Sequence, residues 1–309
     1  MGTFNAERYL PELLQSINQQ WLQPTEVVAC DDGSTDGTLT LLREFSRNSQ
    51  FPVRIYTNPT NLRTTKNFEK AISLCRGEFV ALCDQDDIWY PDKLGTLVEE
   101  LRSNPDAGGI FSDADLIDES SEKMGERLWE RALFKRTRSS GSLLDSRRLL
   151  RANVVTGATL MFRSCASNMF LPIPPSWMHD GWIAWMLTVQ SKLIACNQTL
   201  IGYRIHASQQ IGMPSLSPRI RLQRARETGA GEYCAIATQF SDLLDFLKTR
   251  PDICSKELYQ EIEGKLDHAL FRAKLVSGRW ARWRGIWRRR SEYAVYAQGW
   301  LSMLKDSLS

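Results

Sequence analysis

Nothing in this 309-residue chain approaches the roughly 20 consecutive apolar residues that a membrane-spanning helix needs. No basic stretch followed by an apolar block lies near its start, so no secretory signal is expected. The seven cysteines (30, 75, 83, 165, 196, 234 and 254) are odd in number, scattered, and nowhere spaced C-x-x-C. That excludes a disulfide framework and a structural zinc site, and it fits reduced thiols in the cytoplasm. Internal repeats and low-complexity segments are missing as well, and the opening MGTFNAERYL is not a glycine-rich phosphate loop. Acid is missing locally: from Ala269 to Arg290 there are eight Lys or Arg and no Asp or Glu. With a net charge of +3, the rest of the chain is therefore near −5 (3 minus 8), and the basic stretch calls for a local explanation.

What is present reads as a globular protein, 42% hydrophobic and 24% charged. The first 115 residues alternate apolar runs with helical spacing. TEVVAC (25–30), VRIYT (53–57), EFVALC (78–83) and GGIFSD (108–113) are strand candidates. Helical patterns through LTLLREF, KNFEKAISLC and DKLGTLVEEL lie between them, the last begun by Pro91 and the middle one stopped at Gly77. Such alternation implies right-handed crossovers and a mainly parallel sheet flanked by helices, an α/β fold of Rossmann-like type. Residues 116–150 are polar without a clear period and read as a mobile connection or lid. GATLMFR (157–163) and LIGYRIH (200–206) resume strand character, PIPP (172–175) is a rigid spacer, and HDGWIAWML (179–187) is a helix. Beyond Pro218 come long helical stretches rich in Leu, Arg and Trp, which puts a boundary near 212–218.

Ligands of such sheets sit at the carboxyl ends of the strands. Two acidic groups fall there, Asp31-Asp32 and the LCDQDDIW segment with Asp84, Asp86 and Asp87. Carboxylates so close repel one another unless something positive joins them. A hard divalent cation, Mg²⁺ or Mn²⁺, suits oxygen ligands and commonly shares them with substrate phosphates. Turn-forming or helix-capping Asp residues are the simpler alternative, and Asp87 fits it well.

Four ordered segments, MGTFNAERYLPELLQSI, CDDGSTDGT, NPTNLRTTKNFEKA and LCDQDDIWYPDKL, together resemble the successive motifs of the glycosyltransferase family 2 catalytic domain, which has the GT-A fold. The resemblance covers roughly residues 1 to 210. It implies a catalytic domain over 1–214, with a nucleotide-sugar side (1–115) and an acceptor side (116–214), followed by a helical region over 215–309. By position, Thr3 and Asn5 would lie beside the nucleotide. Asp31 or Asp32, with Asp32 favoured, would accept the pyrimidine N3–H. Lys66 would be near the base and phosphates, Asp84 would meet the ribose or a metal-bound water, and Asp86 would bind the metal. In YRIHASQQIG, Arg204 and His206 would reach the diphosphate or complete the metal shell. Thr156 and Gly157 would line the acceptor side. Asp180 takes the place of the family's catalytic base, while His179 replaces the usual first member of an acidic pair and would hydrogen-bond Asp180 or touch the acceptor. A helix cap is the simpler role for Asp180. Arg63 stands where the family has glycine, so that loop is expected to approach the donor differently, and the first strand is expected to be short.

The resemblance implies an inverting, metal-dependent transfer of a single sugar from a UDP- or dTDP-sugar, with dTDP-rhamnose a candidate suggested by likeness to O-antigen and capsule enzymes. The acceptor would be a glycan or a lipid-linked hydroxyl. In GRWARWRGIWRRR (278–290), Trp280, Trp283 and Trp287 fall on a helical stripe with Val276, flanked by arginines. Two readings stay open. The stripe attaches the protein to the inner face of an anionic membrane, or it packs on the rest of the chain. Nucleic acid is not expected, since no recognisable module accompanies the basic stretch. A sugar nucleotidyltransferase and a non-catalytic, membrane-associated nucleotide binder are the alternatives. A processive synthase is disfavoured because Val276 stands where its Gln-x-x-Arg-Trp motif has Gln.

Overall fold

The continuously apolar strands become two sheets with helices packed on them. A computed structural model describes residues 1–132, 134, 141–190, 192–206, 230–275 and 279–308. Chain contacts divide it into two units, Met1–Leu144 with Val154–Gly212, and Asp145–Asn153 with Met213–Ser309. The boundary expected near 214, and Val276, lie outside the described residues.

In the first unit, β1 (Gly2–Thr3), β2 (Val27–Asp31) and β3 (Val53–Thr57) form a sheet that is parallel throughout. β1 is only two residues long, and the Met1 ammonium donates to the Val28 carbonyl at 2.9 Å. The larger sheet is mixed. It runs in the order β4 (Phe79–Ala81), β9 (Leu160–Arg163), β6 (Ala107–Ile117), β10 (Lys192–Arg204) and β5 (Ile88–Trp89). Within it β6 and β10 are parallel, and β4, β9 and β5 join antiparallel. β6 and β10 are buried over most of their length, as strands covered on both faces must be.

Helices α1 (Leu10–Asn18), α2 (Thr38–Asn48), α3 (Arg63–Leu74) and α4 (Lys93–Ser103) turn one apolar stripe inward. The stripe of α3 is Phe68, Ala71 and Ile72, as its spacing predicts. The segment expected as a mobile lid is partly built. β7 (Lys123–Arg127) pairs with β6, α5 (Leu128–Arg131) follows, and β8 (Ser142–Leu143) pairs with β10. The anchor is Trp129, 1% exposed, whose ring packs on Phe111 and edge-on to Phe134 while its backbone N–H donates to Asp113 Oδ1. A few aromatic anchors in a charged stretch leave no period to read.

After α6 (Ser146–Arg151), which belongs to the second unit, α7 (Ser167–Phe170) and α8 (His179–Gln190) return to the first. From His179 to Leu187 every residue of α8 except Asp180 is buried, so this helix is interior. The second unit is completed by α9 (Ala230–Lys248), α10 (Lys256–Ala273), α11 (Arg279–Arg288), α12 (Arg290–Tyr296) and α13 (Trp300–Leu308). Among the described residues no helix is long and apolar enough to cross a membrane.

Candidate active site

The acidic loop after β4 rests on two buried cations, Arg204, which the sequence reading aimed at a ligand, and Lys93, which it missed. Asp87 is fully buried and accepts the Arg204 backbone N–H at 3.0 Å. The Arg204 side chain, also fully buried, lies over the Tyr9 ring. Its Nε donates to the Asp86 carbonyl (2.7 Å), one terminal nitrogen to Ser121 Oγ and the carbonyls of Asp118 and Glu119, and the other to Glu12 (2.8 Å). A guanidinium has five donors. With these acceptors it braces the loop from below, which corrects the expectation that Arg204 reaches a diphosphate. Lys93, on the first turn of α4, is equally buried, donating to the Ala158 carbonyl at 2.7 Å and lying 3.8 Å from the Trp89 ring centre. Burial draws its pKa down to about 8, against the pull of Cys83, Asp87 and Asp84.

Above this floor Asp84 and Asp86 are half-buried and reachable. His206 Nε2 meets Asp86 Oδ2 at 2.8 Å, and its ring packs against Tyr9. Gln85 clamps the loop to the end of β1, accepting the Phe4 N–H (2.7 Å) and donating to the Phe4 carbonyl (3.1 Å). Burial, then the charges of Asp86 and Asp180, push Asp84 up to about 7. Asp180 lies within the same field. Burial raises it to about 6, although the N–H groups of Gly181 and Gly157 favour its ionised form. Burial and the neighbouring Asp86 and Asp84 also hold Asp87 well above the ordinary carboxylate range. If all four carboxylates ionise, the excess charge is negative, because Lys93 is the buried cation beside them and the Arg204 guanidinium is already ion-paired with Glu12.

Other expected residues turn inward. His179 is 4% exposed, stacks flat on Phe68 with centroids 4.1 Å apart, and among the described residues neither ring nitrogen has a hydrogen bond. It therefore neither bonds Asp180 nor faces an acceptor, and burial holds it neutral, with a pKa near 3. Gly157 is buried with its N–H on Asp180, and a Cβ there would lie 2.8 Å from His179 Nε2. It supports the carboxylate and does not line a surface. Thr156 stays half-buried, its carbonyl capped by Thr159.

On the nucleotide side, Asp31 is saturated. It accepts Thr3 Oγ1, Ser34 Oγ and the N–H groups of Gly33 and Ser34, four bonds for four lone pairs. Asp31 with Thr3 is thus a turn anchor, and Asn5 plays a similar part through its Oδ1, which accepts the Thr35 N–H. Asp32 is 3% exposed and accepts Asn58 Nδ2, Leu62 N–H and Arg63 N–H, which leaves one lone pair on Oδ2. Lys66 is engaged by Glu69 (2.7 Å) and the Ile173 carbonyl (2.8 Å). The cation next to the Asp32 network is Lys70, which donates to Asn58 Oδ1 at 2.6 Å. Arg63 has φ of 64°, the left-handed region that favours glycine. The loop keeps a glycine-like backbone and delivers its N–H to Asp32 despite the substitution.

Among the described residues no group of three His, Cys, Asp or Glu side chains is placed to hold a metal ion. The pair Asp86 and His206 nevertheless fits a hard cation that takes most of its shell from phosphate oxygens, with the charge of Asp84 nearby.

Comparison with known proteins bears on the same residues. An uncharacterised protein of Mycobacterium bovis is 29% identical over 211 residues, covering 66% of this chain and 57% of the relative, so the chain spans little more than half of that protein. TarS 1–349 of S. aureus, solved in complex with UDP-GlcNAc, aligns over 99% of this chain and 86% of its own with a TM-score of 0.61 at 16% identity. The mannosyltransferase PcManGT of Pyrobaculum calidifontis, in complex with GDP-Man and Mn²⁺, aligns over 95% and 73% with a TM-score of 0.54 at 17% identity. These likenesses establish the GT-A fold. The sequence model of glycosyl transferase family 2 matches residues 1–164, more than half the chain and the stretch that carries the Asp32 turn and the Asp84–Asp87 loop, and the chain belongs to that family.

Proposed function

We propose that this chain is an inverting, metal-dependent glycosyltransferase. It moves one sugar from a nucleoside-diphosphate sugar to a hydroxyl of a glycan or lipid-linked acceptor, in the assembly of a cell-surface polysaccharide. The observation that supports this most is Asp180, half-buried at the head of an interior helix, held by the Gly157 and Gly181 N–H groups and close enough for its charge to act on Asp84. A base raised to about 6 is ionised at neutral pH and still accepts a proton readily. Asp180 takes the acceptor's hydroxyl proton while the oxygen attacks the anomeric carbon from the side opposite the diphosphate, and the configuration inverts. When bound, Mg²⁺ or Mn²⁺ would supply positive charge against that growing on the departing diphosphate. Asp86 and His206 would hold it, with Asp84 beside them.

Asp32, through its remaining lone pair, accepts the N3–H of a pyrimidine, which favours UDP- or dTDP-sugars, dTDP-rhamnose among them. That TarS is solved with UDP-GlcNAc and PcManGT with GDP-Man supports a sugar nucleotide as the donor class. Residence on the inner face of the cell membrane belongs to the same proposal. The test is a thermal-shift series with UDP and dTDP, with and without Mn²⁺. A ligand at 100 times its Kd stabilises by about 2.7 kcal/mol, and Asp86→Ala is expected to remove the metal-dependent part. An unchanged metal-dependent shift in Asp86→Ala overturns the assignment.

A further inference from the structure

We infer that the outward faces of α11 and α13 together form a docking surface for an anionic lipid bilayer. The inference rests on the membrane residence proposed above and names the surface responsible. The sequence pointed only to the α11 stripe, whereas the fold adds a second helix. α11 and α13 pack against one another, and the small core between them and their neighbours holds Ile286, Tyr293 and Met303. Away from that core, Trp280 is 90% exposed, Trp287 59% and Trp300 69%, with Trp283, Leu301 and Leu304 also exposed. Within the second unit, Trp280, Trp287 and Trp300 are therefore not packed into its core. On α13, Met303 and Asp306 turn inward while Trp300, Leu301 and Leu304 turn out, so each of the two helices is anchored on one side and left apolar on the other.

Charge selects the occupant. Arg284, Arg288 and Arg290 are exposed on or beside α11 and have no ion-pair partner among the described residues, unlike Arg289, which is paired with Asp267 and Glu292. Indoles prefer the headgroup layer, and arginines keep their charge at phosphate level while their stems cover apolar surface. Each basic residue near an anionic membrane raises affinity about fivefold. Stacked indoles and arginines would also suit single-stranded nucleic acid, but Leu301 and Leu304 gain nothing from bases and gain much from acyl chains.

The test uses the full chain and vesicles of phosphatidylcholine with or without phosphatidylglycerol, read by flotation. The wild type is expected to float with the anionic vesicles and to stay behind with neutral ones or at high salt. Combined Trp280→Ala, Trp287→Ala and Trp300→Ala, and separately Arg284→Glu with Arg288→Glu, should each lower vesicle affinity at least about tenfold at an unchanged melting midpoint. Wild-type protein that ignores anionic vesicles removes membrane residence and this surface together. Wild-type flotation that the variants do not weaken leaves the residence standing and overturns the surface. Tighter binding to single-stranded nucleic acid than to vesicles, or a dimer that the tryptophan variant dissociates without any change in flotation, overturns it too.

Discussion

Each unit withdraws carboxylates from water, a group of them in the first and the single Asp306 in the second, and the two sites are held in opposite ways. In the second unit Asp306, 1% exposed, accepts the Tyr233 and Tyr293 hydroxyls (2.6 Å each) and two bonds from Arg272 (2.7 and 2.8 Å). Burial pushes its pKa up, but Arg272 and the two hydroxyls pull it below the ordinary value. In the first unit burial also acts on Asp84 and Asp180, and there neighbouring carboxylates or a few backbone N–H groups are the counterpart, so both pKa values stay raised. A saturated carboxylate can only hold structure. One left with open lone pairs and an unmatched charge is available to a cation, a sugar nucleotide or a proton.

The largest effect should come from removing the available kind. Asp180→Asn is expected to lower turnover on the order of 10²–10⁴-fold while the nucleotide-dependent rise in melting midpoint survives. Turnover within tenfold of wild type would mean that this carboxylate is as structural as Asp306. The saturated kind should fail differently. Asp306→Ala strands Arg272 in the interior and should cost about 3–5 kcal/mol in denaturant unfolding, with nucleotide binding by the folded fraction unchanged.

Acid should separate the two clusters by sign. Asp180 has a raised folded pKa, about 6 against an ordinary 3.8, so the folded state holds its proton more tightly between those values. Wild type should therefore lose stability relative to Asp180→Asn as pH rises through about 6, and kcat/KM should fall as pH drops through the same region. Asp306 has a lowered folded pKa, so its contribution is full above the ordinary carboxylate value and disappears as pH falls through the lowered one. Paired melts of each variant against wild type from neutral to acid pH check both signs. The smallest effect is expected at Arg63, where glycine removes left-handed strain but loosens the unfolded chain. Arg63→Gly should change stability by no more than about 1 kcal/mol, in the favourable direction.

The alternation of apolar runs made the strands of the first unit readable, and the helix beginning at His179 starts where its pattern does. Asp86 and His206, 120 residues apart, meet as their separate motifs suggested. The direction of a side chain was not readable. Arg204 ends a strand whether it points at a ligand or under the loop, and only the acceptors around it decide. Lys93 lies at the start of a helical pattern, and nothing local announces that it is buried beneath the carboxylates. Asp31 and Asp32 are adjacent and chemically identical, yet one is closed by its own turn and the other is left a lone pair by the chain that returns thirty residues later. Such differences are set by long-range packing, which a sequence window does not contain.

The stacked rings of Phe68 and His179 carry a mechanical consequence. Phe68 belongs to the helix whose first residue offers its N–H to Asp32, and His179 immediately precedes Asp180. Two flat rings in contact make a spacer whose thickness van der Waals radii fix, with Gly157 closing the far side of the imidazole. The gap between the end that would grip a base and the end that would receive a proton is thus gauged by aromatic thickness, and a thinner or bulkier residue at position 179 would reset it without touching either carboxylate.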